Sequence, residues 1–214
     1  NGVEFPLLGF GTAGQLGRAA VRGAPDAGFR AFDTAQAAEW YREADVGAAL
    51  AASGVARERF FVTTKMHPRD HGYETTRRRV AESRAALGGR VELFLLHYAE
   101  CWPGLCGSAR PEGTWRDSWR ALEDALAAGE VAAIGVSNFR PEQLRELVAG
   151  ARTRVRPHVV QSWMDPLHQD APLRALCAEH GVAFTAYSSL GTQWAMQGGA
   201  AARRGNPVLG SPAV

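Results

Sequence analysis

Seven short, strand-like runs alternate with amphipathic helical patterns along this chain, and that alternation constrains the fold more than any other feature. The runs fall at 7–10, 31–33, 60–64, 91–97, 131–136, 158–161 and 182–187, each bounded by turn-forming residues. VAAIGV and VELFLL are apolar throughout, as strands buried on both faces must be. Between the runs the period changes. Val46, Ala49, Leu50 and Ser53 form a stripe closed by Gly54, a suitable residue just past a helix end. Thr114 and Asp117 make a capping-box start for a helix carrying Trp115, Trp119, Leu122 and Leu126 on one face and stopping at Gly129. Pro141 and Pro172 each suit a first helical position. Strand followed by helix, repeated in this way, predicts an α/β fold with a parallel sheet covered by helices.

Two architectures satisfy that pattern, a closed (β/α)8 barrel and an open doubly wound sheet. A complete barrel typically needs about 250 residues, and this chain has 214. Its seventh run ends near Tyr187, with only a Pro/Gly-rich tail up to Pro212, Ala213 and Val214. The expectation is therefore one domain over residues 1–214, a (β/α)8 TIM barrel without its eighth unit. The chain starts at Asn1 rather than methionine, so a targeting segment would not be visible. The competing open sheet has one argument in its favour. Gly9, Gly11 and Gly14 satisfy G-x-G-x-x-G, with Asp33 about 20 residues further on, as in a dinucleotide-binding fingerprint. Against it, Pro6 stands where the preceding strand would run.

Composition narrows the function classes. A net charge of +2 with acids and bases interspersed gives no nucleic-acid or membrane surface, and Arg77, Arg78 and Arg79 read as the solvated face of a helix. Three cysteines, Cys101, Cys106 and Cys177, make no even disulfide framework, which favours a reducing compartment. A cytoplasmic location is expected. His97, Cys101 and Cys106 fit no usual zinc spacing, so no metal is expected.

Asp33, Tyr41, Lys65 and His97 lie at or just beyond the carboxyl ends of three successive predicted strands, the end where such folds place their chemistry. Individually each has an ordinary structural reading: a helix cap, a half-buried aromatic, a strand-end lysine, a core histidine. Together they make a proton-transfer device. An ammonium paired with a carboxylate beside a phenol favours phenolate and lowers the tyrosine pKa from about 10, and a neutral histidine orients a substrate oxygen.

DTAQAAEWYREADVGAAL, FFVTTKMHPRDHGYETT, VELFLLHYAECW, SWRALEDALAAGEVAAIGVSNF, VVQSW and FTAYSSLG resemble, in order, the conserved blocks of the aldo-keto reductases. The similarity runs from about Pro6 to Leu190. It implies a metal-free barrel that reduces an aldehyde or ketone with NADP(H). On this resemblance Tyr41 is the proton donor, Asp33 and Lys65 tune it, and His97 positions the carbonyl. Ser137, Asn138 and Gln161 would bind the nicotinamide carboxamide, Tyr187 would stack beneath its ring, and Thr12 would line the cofactor edge. Ser188 and Leu190 would reach the pyrophosphate, and Trp102 would wall the substrate pocket. The spacing from Asp33 to Tyr41 is longer than the commonest family pattern, which makes Trp40 the alternative occupant of the tyrosine position. Arg42, Ala99 and Asp165 stand where asparagine, proline and histidine are usual, and Pro25 falls within the expected first helix. The resemblance also admits a non-catalytic regulatory relative, like the potassium-channel β subunits, or an inactive fragment.

Overall fold

A computed structural model describes residues 1–14, 18–150, 153–196 and 205–211; the tail at Pro212–Val214 lies outside them. Seven strands form one sheet: β1 (Gly9–Gly11), β2 (Ala31–Asp33), β3 (Phe61–Met66), β4 (Leu93–Leu96), β5 (Ala133–Ser137), β6 (Val159–Trp163) and β7 (Ala183–Tyr187). They pair in sequence order and every pair is parallel. A doubly wound sheet reverses its order at a switch point, and this one does not. Gly9 and Gly11 lie within β1 itself rather than in a loop after it, so the glycine fingerprint is coincidental.

The sheet curls. Gln161 on β6 donates to the Asp33 carboxylate on β2 at 2.7 Å, although strands four places apart in a flat sheet would lie about 19 Å from each other. The molecule is a nearly closed (β/α)8 barrel with seven strands among the described residues. Strand periodicity divides its apolar residues into two cores. Ala31, Phe61, Leu93, Leu95, Ala133 and Val159 form a small inner cluster with Phe5 against it. Phe32, Val62, Phe94, Leu96, Ile134 and Val160 belong to the larger cluster beneath the helices. The inner residues are all odd-numbered and these outer ones all even, so each strand contributes alternately to both.

The helices are α1 (Arg18–Gly23), α2 (Glu43–Ala52), α3 (Tyr73–Ala86), α4 (Pro103–Cys106), α5 (Trp115–Ala127), α6 (Pro141–Ala149), α7 (Ala171–His180) and α8 (Thr192–Met196). The capping box at α5 is present, with the Thr114 amide donating to Asp117 at 2.8 Å. Pro141 opens α6, whereas Pro172 takes the second position of α7. The expected conflict at Pro25 does not arise, because α1 ends at Gly23 and Pro25 begins a turn closed by Gly28. The arginine run on α3 is engaged in ion pairs, Arg77 with Glu130 at 2.7 Å and Arg79 with Asp70 at 2.9 Å.

Gly135 shows how closely the barrel is filled. A β-carbon there would lie 2.3 Å from the Val159 carbonyl oxygen and 2.7 Å from a Leu95 methyl. Overpacking at such a site costs about 1–3 kcal/mol. Gly135→Ala is expected to lower stability by that amount in urea denaturation, and an unchanged midpoint would contradict the packing described.

Candidate active site

The same odd-numbered alternation carries polar side chains to the carboxyl end of the barrel. Asp33 closes β2, Lys65 is the penultimate residue of β3, His97 follows β4, Ser137 closes β5, Gln161 lies on β6 and Tyr187 closes β7. Lys65 is almost wholly buried, at 1% exposure. Its ammonium is paired with one oxygen of Asp33 and donates to the Thr34 carbonyl at 3.0 Å. The other Asp33 oxygen receives Gln161. Burial opposes the charge on Lys65, but Asp33 and Tyr41 outweigh it and hold its pKa above the ordinary value. The side chain remains an ammonium.

Tyr41 reaches this group through a loop whose length is absorbed by a tight turn. The amides of Trp40 and Tyr41 both donate to the Ala37 carbonyl at 2.9 Å, and the Trp40 carbonyl accepts from Gly14 at 3.1 Å. The Lys65 ammonium lies 5.0 Å from the centre of the Tyr41 ring and acts on the phenol through both charge and hydrogen bonding. The Trp40 ring lies 6.5 Å, centre to centre, from both His67 and His97, whereas the ammonium sits over the ring of Tyr41. Tyr41, not Trp40, therefore occupies the position beside the lysine. One expectation is corrected here. Burial is the largest influence on Tyr41 and raises its pKa above 10.0; Lys65 pulls down, Asp33 pushes up, and the net shift is upward. Lys65 thus moderates a shift that burial dominates.

His97 lies 5.9 Å from Tyr41, ring centre to ring centre. Burial, reinforced by the positive charges of Lys65 and His67, holds its pKa well below the usual histidine value, so the imidazole is neutral. Its Nδ1 is buried without a hydrogen-bond partner.

The residues expected to hold a cofactor form one connected group. Asn138, with φ 56°, donates to the His97 carbonyl at 3.0 Å and to Ser137 Oγ at 3.1 Å, and accepts from the Tyr187 hydroxyl at 2.7 Å. Thr12 is buried, and both its amide and its hydroxyl donate to the Asp33 carbonyl at 2.9 Å. Gln161, Tyr187, Ser188 and Leu190 line a cavity of about 670 Å³ between β1 and β7. The loop bearing Ser188 and Leu190 is held by Asn206, which donates to the Leu190 carbonyl at 2.6 Å. Trp102 is half exposed, its edge against the Tyr98 ring at 5.3 Å. Asp165 is buried and accepts from the indoles of Trp163 and Trp194 at 2.8 and 2.9 Å.

Three neighbours were not anticipated. Tyr98 stacks on the His97 ring at 5.0 Å. His67, two residues beyond Lys65 and of the same parity, is buried and held to a pKa of about 4 by burial and by Arg69; continuing the alternation would have found it. Glu43, just after Tyr41, accepts from Ser83 at 2.8 Å and from Thr64, beside Lys65, tying the start of α2 to β3. The cysteines also depart from expectation. Cys101 and Cys106 are joined in a disulfide, and Cys177 is a buried thiol. Spacing could not reveal that bond, because the turn of α4 between the two is what brings them together. Among the described residues no cluster of three or more His, Cys, Asp or Glu could hold a metal, and no helix is long and apolar enough to cross a membrane.

The sequence profile described as the aldo/keto reductase family matches residues 11–207. The chain belongs to that family. It is 40% identical over 197 residues to the 9,11-endoperoxide prostaglandin H2 reductase of Trypanosoma cruzi, covering 90% of this chain and 64% of that protein. It is 36% identical over 195 residues to the glyoxal reductase of Bacillus subtilis, covering 89% and 65%. The crystal structure of a Bombyx mori aldo-keto reductase in complex with NADP superposes with a TM-score of 0.76 at 31% identity, over 86% of this chain and 62% of that one. The chain therefore spans just under two thirds of the length of these relatives.

His71 links this site to stability. Its Nδ1 is 3.0 Å from Ser118 Oγ and its Nε2 is 3.0 Å from the Tyr98 carbonyl, and burial depresses its pKa from 6.5 to about 4. The folded state thus holds it neutral, while the unfolded chain takes up a proton below pH 6.5. The stability it contributes is complete above pH 6.5 and is lost as the pH falls toward 4. His71→Asn is expected to give a melting midpoint that declines less over that window than the parent's. Parallel declines would show that His71 is not the group responsible.

Proposed function

We propose that the protein is an NADPH-dependent reductase that converts an aldehyde or ketone to an alcohol, with Tyr41 as proton donor. The observation that carries this reading is the joining of Asp33, Lys65, Tyr41 and a neutral His97 at the carboxyl end of the barrel. A phenol whose pKa is raised by burial is fully protonated at neutral pH and always holds the proton to be given. Lys65, kept charged by Asp33, stabilises the phenolate left after transfer, and that stabilisation is realised only as the charge develops. The neutral His97 has no acceptor near Nδ1, so a proton on Nε2 is the less costly tautomer and gives a donor for the carbonyl oxygen.

The cavity between β1 and β7 suits a nicotinamide dinucleotide. Tyr187 and Gln161 are among its lining residues, and a β-carbon added at Gly11 would meet nothing within 4 Å. When bound, NADPH supplies the hydride received by the carbonyl carbon. Ser137, Asn138 and Gln161 orient the carboxamide, Tyr187 supports the ring, Thr12 holds the Asp33 end of the site, and Ser188 and Leu190 border the pyrophosphate. Trp102 and Tyr98 bound the substrate side. A small dicarbonyl is the first probe to use, since a relative is a glyoxal reductase. A cytoplasmic setting goes with this reading and with the thiol at Cys177; the Cys101–Cys106 bond is the feature that sits uneasily there.

Tyr41→Phe is expected to lower turnover of glyoxal by roughly 10²–10⁴-fold while NADPH binding, read by tryptophan fluorescence, is retained. Trp40→Phe is expected to keep turnover within about tenfold, a change of no more than about 1.4 kcal/mol in the barrier. Equal activity in Tyr41→Phe and the parent would reject the assignment.

A further inference from the structure

We propose that Cys101 and Cys106 form a reversible redox site for a dithiol reductant, and that its state sets the substrate side of the pocket through Trp102. The pocket part of this inference rests on the reductase reading above; the existence of the redox site does not.

The argument begins with position. The two cysteines flank Trp102 and the single turn of α4 in the connection between β4 and α5, directly after His97. A chain of ring contacts leads from them to the imidazole. The Trp102 edge meets Tyr98 at 5.3 Å, and Tyr98 stacks on His97 at 5.0 Å with 25° between planes. The Trp102 carbonyl accepts the amides of both Leu105 and Cys106 at 2.9 Å. Trp102 is thus clamped from two sides, by its bonds into α4 and by the bridge that joins the residue before it to the residue ending α4.

The turn is otherwise held by backbone bonds, Gly107 donating to the Pro103 carbonyl at 2.9 Å and Ala109 to the Cys106 carbonyl at 3.1 Å. α4 has four residues and no side-chain cap at its start, and a helix that short is far below the length that persists unaided. Opening the bridge releases the tie across α4, and with it the fixed seat of the half-exposed indole. Access to the bond is lopsided. Cys106 is buried at 8% exposure while Cys101 is only partly covered, so a reductant enters at Cys101. Cys177 takes no part: it is on α7, buried, with its pKa pushed up to about 11 by burial, which leaves it a poor nucleophile.

The chemistry is thiol–disulfide exchange. A thiolate of the reductant attacks Cys101 Sγ, the Cys101–Cys106 bond breaks, and Cys106 leaves as a thiolate that takes up a proton. The second thiolate of the reductant then attacks its own sulfur in the mixed disulfide and displaces Cys101, which is protonated in turn. Two electrons and two protons pass to the protein, and the dithiol ends as a disulfide. Glutathione disulfide, as oxidant, reverses the exchange.

The test uses the full chain, equilibrated in a series of reduced and oxidised glutathione and separately in dithiothreitol, with native alkylation and mass spectrometry. The expected result is a pair that moves reversibly between bridged and dithiol forms while Cys177 stays unmodified. Reduction is expected to increase iodide quenching of tryptophan fluorescence, a change absent in Trp102→Phe. It is also expected to raise the KM for glyoxal roughly threefold to tenfold, the effect of freeing one ordered side chain, with kcat within about twofold. C101S/C106S is expected to show the reduced values in every buffer. Two thiols that never bridge in oxidised glutathione, or a bridge that dithiothreitol opens only after denaturation, would overturn the redox site. Identical quenching in both states would overturn the coupling to Trp102, whether or not glyoxal is turned over. Altered quenching with an unchanged KM would reject the effect on the pocket alone.

Discussion

The ammonium of Lys65 inside the barrel is the constraint on which the site depends. A buried charge is tolerated only when paired and hydrogen-bonded, and Lys65 meets that demand with the Asp33 carboxylate and the Thr34 carbonyl. Such a pair is a poor source of net stability, because desolvating two ions offsets most of their attraction. What it supplies is position. Asp33 can reach Lys65 on one side and Gln161 on the other only if the sheet bends far enough to bring β2 opposite β6. The polar layer and the curvature of the barrel are therefore consistent with one geometry and with few others.

Around that pair the surroundings divide the labour of ionisation. Desolvation acts on Lys65, Tyr41 and His97 alike, and in each it disfavours the charged form. Asp33 opposes it at Lys65, which stays charged; at Tyr41 Asp33 adds to it and the pull of Lys65 does not reverse it, and at His97 the charge of Lys65 adds to it, so the phenol and the imidazole stay neutral. One cation, one protonated phenol and one neutral imidazole follow from burial together with the placement of the Asp33–Lys65 pair. Glu43 and the turn at Ala37 serve the same arrangement from outside the barrel by fixing the start of α2, and hence the direction from which Tyr41 enters.

Much of this was legible in the chain. Apolar runs separated by helical stripes predicted the parallel α/β architecture, and the placement of Asp33, Lys65 and His97 at strand ends predicted their convergence, because strand parity and direction are local properties. The losses occurred where local rules lapse. Past the end of β4 the pleat no longer dictates facing, so Tyr98 was not foreseen on the His97 ring. The sign of the shift on Tyr41 depends on how much solvent the finished fold excludes, which no spacing encodes. The glycine pattern at Gly9–Gly14 misled because its first two glycines lie within a strand. The link between Cys101 and Cys106 depends on a turn four residues long, too short to leave a periodicity.

The cavity between β1 and β7 has a consequence for the molecule as a whole. Its lining draws on β2, β3 and β6 as well as on β1 and β7, and the last two are not bonded to each other among the described residues. In a (β/α)8 barrel an eighth strand pairs with both of these edges, so the seam lies where the family fold sets its last unit. The backbone groups that face it on β1 and β7 are the part of the sheet most open to pairing with a further strand. The polar layer around Lys65 does not wait on that closure, because its partners come from β2 and β6, inside the paired part of the sheet.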